Sequence, residues 1–242
     1  MHFSQYTLEN CSEAEGAVVV IDVLRAFSTA AFAFAAGAEC IWLVSRVEEA
    51  LSLRQSHPGS LVMGEVGGIK VEAFDFGNSP TELLKQDLRG RQLIQRTSAG
   101  TQGVVRSRSA SALLAASFSC AAATAQYLKK LRAVTVGFVV TGAGVDGKGD
   151  EDAACADYLE ALLRGEKPDF ALYRQRVLDS PTSGLFSEPD HPDFPASDLE
   201  LCLDLDRFSF AMRVDRANGY LSLRPVFPDS PSGEASNSRV TR

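Results

Sequence analysis

Residues 17–21, Ala17-Val18-Val19-Val20-Ile21, form an apolar run without alternation, and Asp22 ends it. A strand with one wet face alternates apolar and polar side chains. An unbroken Val/Ile run suits a strand covered on both faces, as parallel strands are. Asp22 then lies at the carboxyl end of a buried strand, where open α/β sheets bind ligands. Arg25, Ser28 and Thr29 follow directly. Ser28 or Thr29 can cap the Ala/Phe-rich helix that runs to about Ala36, with Gly37 as its stop. The free N–H groups of that helix would favour an anion in the same crevice. Two readings compete for Asp22 and Arg25. One is a structural ion pair closing a strand–helix turn. The other is a site for a phosphorylated, acidic substrate: Asp22 holds a metal or attacks phosphorus, and Arg25 grips oxyanions through its fork of donors.

The pattern continues as strand and helix in alternation. Residues 41–44 read as a second strand. Ser45 with Glu48 reads as a capping box for a helix to about Gln55. A turn at residues 57–60 leads to a third strand at 61–63. This β-α-β-α-β order predicts a parallel sheet with right-handed crossovers. Strands are also expected at 92–95, 112–116 and 134–140, with helices at about 120–131 and 150–164. Residues 169–178 read as helical and 179–196, rich in Pro, Ser and Asp, as a loop or flap. Residues 198–206 read as a short helix or strand, and 208–226 as a hairpin turning at Asn218-Gly219. Residues 1–16 show no clear period. The expected architecture is α/β, three-layer α/β/α around a mostly parallel mixed central sheet. It forms one domain over residues 1–227, followed by a disordered tail at 228–242.

Charge and composition narrow the function. A net charge of -7, with no basic stripe, argues against nucleic acid as a partner. No apolar run approaches the ~20 residues of a membrane span. The first residues lack the basic and apolar parts of a secretory leader, so a cytoplasmic location is expected. The five cysteines are scattered without a C-x-x-C, which argues against structural zinc or a disulfide framework. The three histidines, His2, His57 and His191, sit in terminal or Pro-flanked contexts and support no Ser-His-Asp triad.

Polar segments recur after the strands. Residues 64–80 form a long, glycine-punctuated stretch expected to be an irregular loop. It ends where Ser79 can cap, Pro80 fits the first helical position and Glu82 completes a second capping box. Residues 96–103, Arg96-Thr97-Ser98-Ala99-Gly100-Thr101-Gln102-Gly103, can form a nest of N–H groups for phosphate, although no P-loop is present. Asp150-Glu151-Asp152 opens a helix. Three adjacent carboxylates there are either partners of the helix dipole or a place for Mg²⁺.

The wording and order of these motifs resemble the 2-phosphosulfolactate phosphatase family. The matching pieces are Val20-Ile21-Asp22-Val23-Leu24-Arg25-Ala26 with Ser28-Thr29, then Gly64-Glu65, then Phe74-Asp75 with Gly77-Asn78-Ser79-Pro80. The Thr97 to Thr101 loop and Glu151-Asp152 follow. The resemblance implies a Mg²⁺-dependent phosphatase that converts (2R)-2-phospho-3-sulfolactate to 3-sulfolactate and phosphate, a step toward coenzyme M in methanogens. The family also occurs in bacteria without that pathway. One departure stands out: the family usually shows a run like T-T-x-N-G-T, whereas position 99 here is alanine.

On that resemblance, Mg²⁺ falls to Asp22 with Glu65, Glu151 and Asp152 as candidate partners, and Arg25 holds the sulfonate or phosphate. Ser28, Thr29, Asn78, Ser79, Thr97, Gly100 and Thr101 would line a small anionic phosphorylated substrate. A metal-ligand role and a nucleophilic role for Asp22 both stay open, as does a homodimer. The rival functions are a phosphatase for another acidic phosphoester and a non-catalytic binder of phosphorylated metabolites.

Overall fold

The computed structural model describes residues 1–142, 149–187, 191–217 and 219–228. Ten strands form one mixed sheet: β1 (His2–Tyr6), β2 (Gly16–Ile21), β3 (Cys40–Val44), β4 (Leu61–Val66), β5 (Ile69–Lys70), β6 (Gln92–Arg96), β7 (Ala110–Ala116), β8 (Thr135–Val140), β9 (Ala211–Ala217) and β10 (Tyr220–Val226). Their spatial order is β1-β8-β2-β7-β9-β10-β3-β6-β4-β5. The helices are α1 (Ala26–Ala35), α2 (Val47–Ser56), α3 (Pro80–Leu83), α4 (Gly100–Arg106), α5 (Ala121–Lys130), α6 (Asp150–Arg164), α7 (Phe170–Leu178) and α8 (Ala196–Cys202). The fold is α/β in three layers, as the sequence pattern predicts.

The apolar run behaves as its lack of alternation requires. Val18 and Val20 pack into the core that holds α1 and α4, while Ala17, Val19 and Ile21 pack into the core with α5 and α6. β2 is paired on both edges, parallel to β7 and to β8. α1 is buried along nine of its ten residues, which explains a sequence apolar on all sides.

The expectation of consecutive parallel neighbours needs correction. β3, β6 and β4 are mutually parallel, but they do not adjoin β2. The β9–β10 hairpin lies between the two blocks, antiparallel to β7 on one side and to β3 on the other. Three antiparallel joints therefore reverse the second block relative to the first. The hairpin can take this central place because Met212, Val214 and Leu223 bury into the same core as α1.

α4 touches both β2 and β3. These strands are four ladder steps apart, and in a flat sheet they would lie about 19 Å apart. A helix with its side chains is only about 10–12 Å wide, so the sheet curls around α1 and α4. This curl brings strand ends from both blocks to one place.

Other differences are local. β1 was not foreseen: it is an edge strand parallel to β8, with its polar side chains largely exposed. Residues 64–66 extend β4 rather than opening a loop, and β5 pairs back on it across Gly67 and Gly68. These glycines have φ of 62° and 87°, a region side chains rarely adopt. α1 starts two residues before Ser28, and its N-cap residue, Arg25, makes no side-chain bond to the helix. α2 has no Ser45–Glu48 capping box; the Ser45 N–H donates to Glu49 instead, at 3.3 Å. The flap segment holds a 3-10 turn at Pro181–Ser187. Residues 143–148, residues 188–190 of the expected flap, Asn218 of the expected turn and tail residues 229–242 lie outside the described residues. No described helix is long and apolar enough to cross a membrane.

Candidate active site

Asp22 leaves β2 just before the chain turns into α1. Its Oδ1 accepts from the Ala26 N–H at 2.9 Å, so Asp22 does the work expected of a Ser28 or Thr29 cap. Its other oxygen faces the start of α4. A Cβ on Gly100 would lie 2.8 Å from Asp22 Oδ2 and 2.7 Å from the Ala26 Cβ. Gly100 is thus required by close approach, not by its φ. Asp22 is 6% exposed. Burial pushes its carboxyl up to about 6; the Ala26 and Gly100 N–H groups pull it down, and the charges of Glu65 and Glu151 push it further up.

The first turn of α6 supplies two more buried carboxylates, and they differ in kind. Asp152 is saturated: Oδ1 accepts from Val23 N at 2.7 Å, and Oδ2 from Thr141 Oγ1 at 3.1 Å and Gly142 N at 3.0 Å. Burial first, then Asp22 and Glu151, hold its carboxyl well above the usual range. Glu151 is 4% exposed, yet its Oε2 has no hydrogen-bond partner among the described residues. Burial raises its carboxyl too.

Glu65 is a brace between loops. Its Oε1 accepts from Ser98 N at 2.5 Å, and its Oε2 from Gly68 N at 2.6 Å and Ser98 Oγ at 3.0 Å. Ser98 belongs to the stretch expected to form the nest. Thr97 and Thr101 satisfy each other: Thr97 N donates to Thr101 Oγ1 at 2.9 Å and Thr101 N to Thr97 Oγ1 at 3.0 Å. The expected phosphate nest is therefore the first turn of α4, with both hydroxyls already engaged. Ser28 Oγ donates to the Val23 carbonyl at 2.8 Å. Thr29 Oγ1 and Asn78 Oδ1 are buried without partners. Ser79 caps α3 by accepting from Glu82 N at 3.3 Å, but Glu82 bonds the Gly77 N–H at 2.6 Å, so the second capping box is half formed.

Arg25 is buried, and its Nη1 pairs with Asp198 Oδ2 at 2.7 Å. Nη1 also donates to the Asp193 carbonyl, and Nη2 donates to the Gly68 carbonyl at 3.4 Å. The rings of Phe194 and Phe186 lie 4.6 and 5.4 Å from the guanidinium carbon. Asp198, Asp193 and both rings come from segments the sequence reading took as a flap and a short element. The ion pair spans 173 positions, and no local pattern marks it. The Gly68 peptide joins this pole to the carboxylates, since its N–H serves Glu65 and its carbonyl serves Arg25.

All five cysteines are free and buried, and burial pushes each thiol up; none is poised as a nucleophile. A surface concavity of about 310 Å³, lined by Leu8, Glu9, Ser12, Arg106 and Arg108, lies at the far end of α4 and holds none of these groups.

The family model described as 2-phosphosulpholactate phosphatase matches residues 3–216. The chain belongs to that family. A relative from Bacillus subtilis (strain 168), named "Probable 2-phosphosulfolactate phosphatase", is 33% identical over 197 residues, 81% of this chain and 86% of the relative. A relative of the same name from Carboxydothermus hydrogenoformans is 45% identical over 152 residues, 62% of each chain. A third, from Thermotoga petrophila, is 36% identical over 173 residues, 70% of this chain and 73% of the relative. Membership in this family makes the chain a phosphoric monoester hydrolase, and places Asp22, Arg25, Glu65, Glu151 and Asp152 within the matched span.

Position 99, where the resemblance implies an amide, opens α4. Ala99 is the N-cap residue of α4, with no side-chain bond. Thr97 already serves the second N–H of the helix, and an asparagine at 99 would reach the third, on Gln102. Ala99→Asn is expected to raise unfolding free energy by about 1 kcal/mol, read by urea denaturation. A rise of tenfold or more in kcat/KM, about 1.4 kcal/mol, would show that the amide also serves turnover. An unchanged stability would count against the cap.

Proposed function

We propose that this chain is a Mg²⁺-dependent phosphatase acting in the cytoplasm on 2-phosphosulfolactate, yielding 3-sulfolactate and phosphate. The observation that carries the reading is the closed acidic pole: Asp22, Glu151 and Asp152 are buried together, and each carboxyl is raised by that burial. Such a pole repels a phosphate dianion unless a cation is present.

The donor set fits Mg²⁺. Among the described residues no group of three or more His, Cys, Asp or Glu side chains is arranged to hold a metal. Mg²⁺ asks for less: one or two carboxylates, with substrate oxygens and waters completing its octahedron. Asp22 Oδ2 and Glu151 Oε2 are the oxygens left for it, whereas Asp152 and Glu65 hold the surrounding backbone. When bound, the ion would supply charge neutralisation at the phosphoryl oxygens and a positioned water. The protein's own groups do the rest. Asp152 fixes the turn after β2 through Val23. Glu65 and Ser98 fix the approach to α4. Arg25 takes an oxyanion of the substrate, and the flap rings keep water from its face.

The test is phosphate release from racemic 2-phosphosulfolactate by the purified chain, with Mg²⁺ and with EDTA. Release is expected with Mg²⁺ and loss of release with EDTA. A folded protein that releases none, while releasing phosphate from other acidic phosphoesters, overturns the substrate. Thermal stabilisation by ligand without release from any ester would make the chain a binder.

A further inference from the structure

Arg25 has five N–H donors, and the structure disposes of three. Both on Nη1 are taken, by Asp198 and by the Asp193 carbonyl, and one on Nη2 goes to Gly68. The Nε–H and the second Nη2–H have no protein partner among the described residues. The Nε–Nη2 edge, whose Nε–H is unused, is one on which a guanidinium can grip an oxyanion with two parallel bonds.

Asp198 decides which edge is left. It is fully buried, and neither oxygen is free to turn: Oδ2 holds Arg25, while Oδ1 accepts from Ser79 Oγ at 2.8 Å and Thr81 N at 2.9 Å. One carboxylate thus ties α8, the start of α3 and the β2–α1 turn together. Stability alone is a weak reason to keep it. A buried ion pair is often matched or bettered by apolar side chains of the same volume. Fixing the direction of a charged fork is something apolar groups cannot do.

We propose that Asp198 is a positioning residue. It turns Arg25 so that the Nε–Nη2 edge receives the substrate's second, non-phosphoryl anionic group. This rests on the phosphatase reading above. The charge of Asp198 offsets that of Arg25, so this pole suits a monoanion such as a sulfonate or carboxylate. The dianionic phosphoryl group belongs at the Asp22–Glu151 pole, where a divalent cation can meet it.

The experiment compares wild type with Asp198→Asn in the full chain with Mg²⁺, on 2-phosphosulfolactate and on p-nitrophenyl phosphate. The amide keeps the shape of Asp198 but cannot accept from Arg25, Ser79 and Thr81 together. KM for 2-phosphosulfolactate is expected to rise at least tenfold. The rise for p-nitrophenyl phosphate, which has no second acid group, is expected to be several-fold smaller. Equal effects on the two substrates overturn the proposal. A second readout needs no turnover: the Nη1–H signal of Arg25, the group Asp198 holds, assigned by its loss in Arg25→Lys. It is expected to be sharp and slowly exchanging in wild type and broadened in Asp198→Asn; an unchanged signal overturns the anchoring. If Asp198→Asn does not fold, Ser79→Ala removes one support of the same carboxylate and is expected to raise KM in the same selective manner, and a uniform effect overturns the proposal. A wild type that releases no phosphate from either ester, yet shows the anchored resonance, sinks the phosphatase reading and leaves the anchoring in place.

Discussion

Asp22→Asn should make the metal-free protein more stable at pH 7.5 while reducing phosphate release about a thousandfold or more. The two effects share one cause. The folded carboxyl is raised from 3.8 to about 6, first by burial, so the folded state binds its proton more tightly than the unfolded chain does. Stability from this group is full below about pH 4 and is lost as pH rises through about 6. Above that, the fold carries a buried charge, and a shift of about two units corresponds to at most about 3 kcal/mol. Asparagine keeps an acceptor for Ala26 N and carries no charge. In urea titrations with EDTA, the wild type should lose stability between pH 4.5 and 7 more steeply than the variant. Parallel curves would show that Asp22 is not titrating in this range. Activity is expected to move the other way because, in the proposed Mg²⁺ site, the same charge would hold the cation; a thousandfold loss corresponds to about 4 kcal/mol at the transition state. Rapid-quench trapping with labelled substrate separates the two chemical roles: label on Asp22 would make it the nucleophile instead.

The sequence makes parts of this site legible because some signals are local. Five apolar residues without alternation place β2 in a buried sheet, and Asp22 falls at its end by counting. Pro80 after Ser79 marks the start of α3 where it occurs, and residues 150–164 are helical as their pattern suggests. These features depend on neighbours within a turn or a strand. The misread caps show the limit of such signals. Ser28 can cap a helix, but Asp22, four residues before Ala26, already supplies the bond, and the helix starts earlier.

What could not be read is what depends on distant partners. β1 reads as polar and aperiodic because an edge strand keeps exposed side chains. The place of β9 and β10 between the two parallel blocks follows from edges that only the assembled sheet presents. Three of the five donors of Arg25 go to Asp198, Asp193 and Gly68, partners far away in the chain that no local pattern marks. The mutual bonds of Thr97 and Thr101 are equally invisible in residue type. Residue type and position do not show whether a hydroxyl is already used.

Asp152 and Glu151, adjacent in sequence, are expected to fail in opposite ways. Asp152→Ala would strand the N–H groups of Val23, which is buried, and of Gly142, which is half-buried, and remove one acceptor for the buried Thr141. Unsatisfied buried donors cost about 1–3 kcal/mol each. Relief of a raised carboxyl offsets part of this, so a net loss of about 3 kcal/mol is expected. Activity should fall with it, because Val23 fixes the turn that carries Asp22. Glu151→Gln leaves the backbone bonds alone and replaces an oxygen that has no partner. Its stability change should stay within about 1 kcal/mol, while phosphate release falls at least a hundredfold at low Mg²⁺ and recovers in part as Mg²⁺ is raised. Urea denaturation and a Mg²⁺ titration of kcat, on both variants, check the pair. A Glu151→Gln enzyme with wild-type Mg²⁺ dependence would remove Glu151 from the metal site. A stable Asp152→Ala would show that the turn after β2 holds its shape without that carboxylate. The contrast arises because the two carboxylates differ in use: Asp152 accepts from the N–H groups of Val23 and Gly142, whereas Glu151 Oε2 has no hydrogen-bond partner among the described residues.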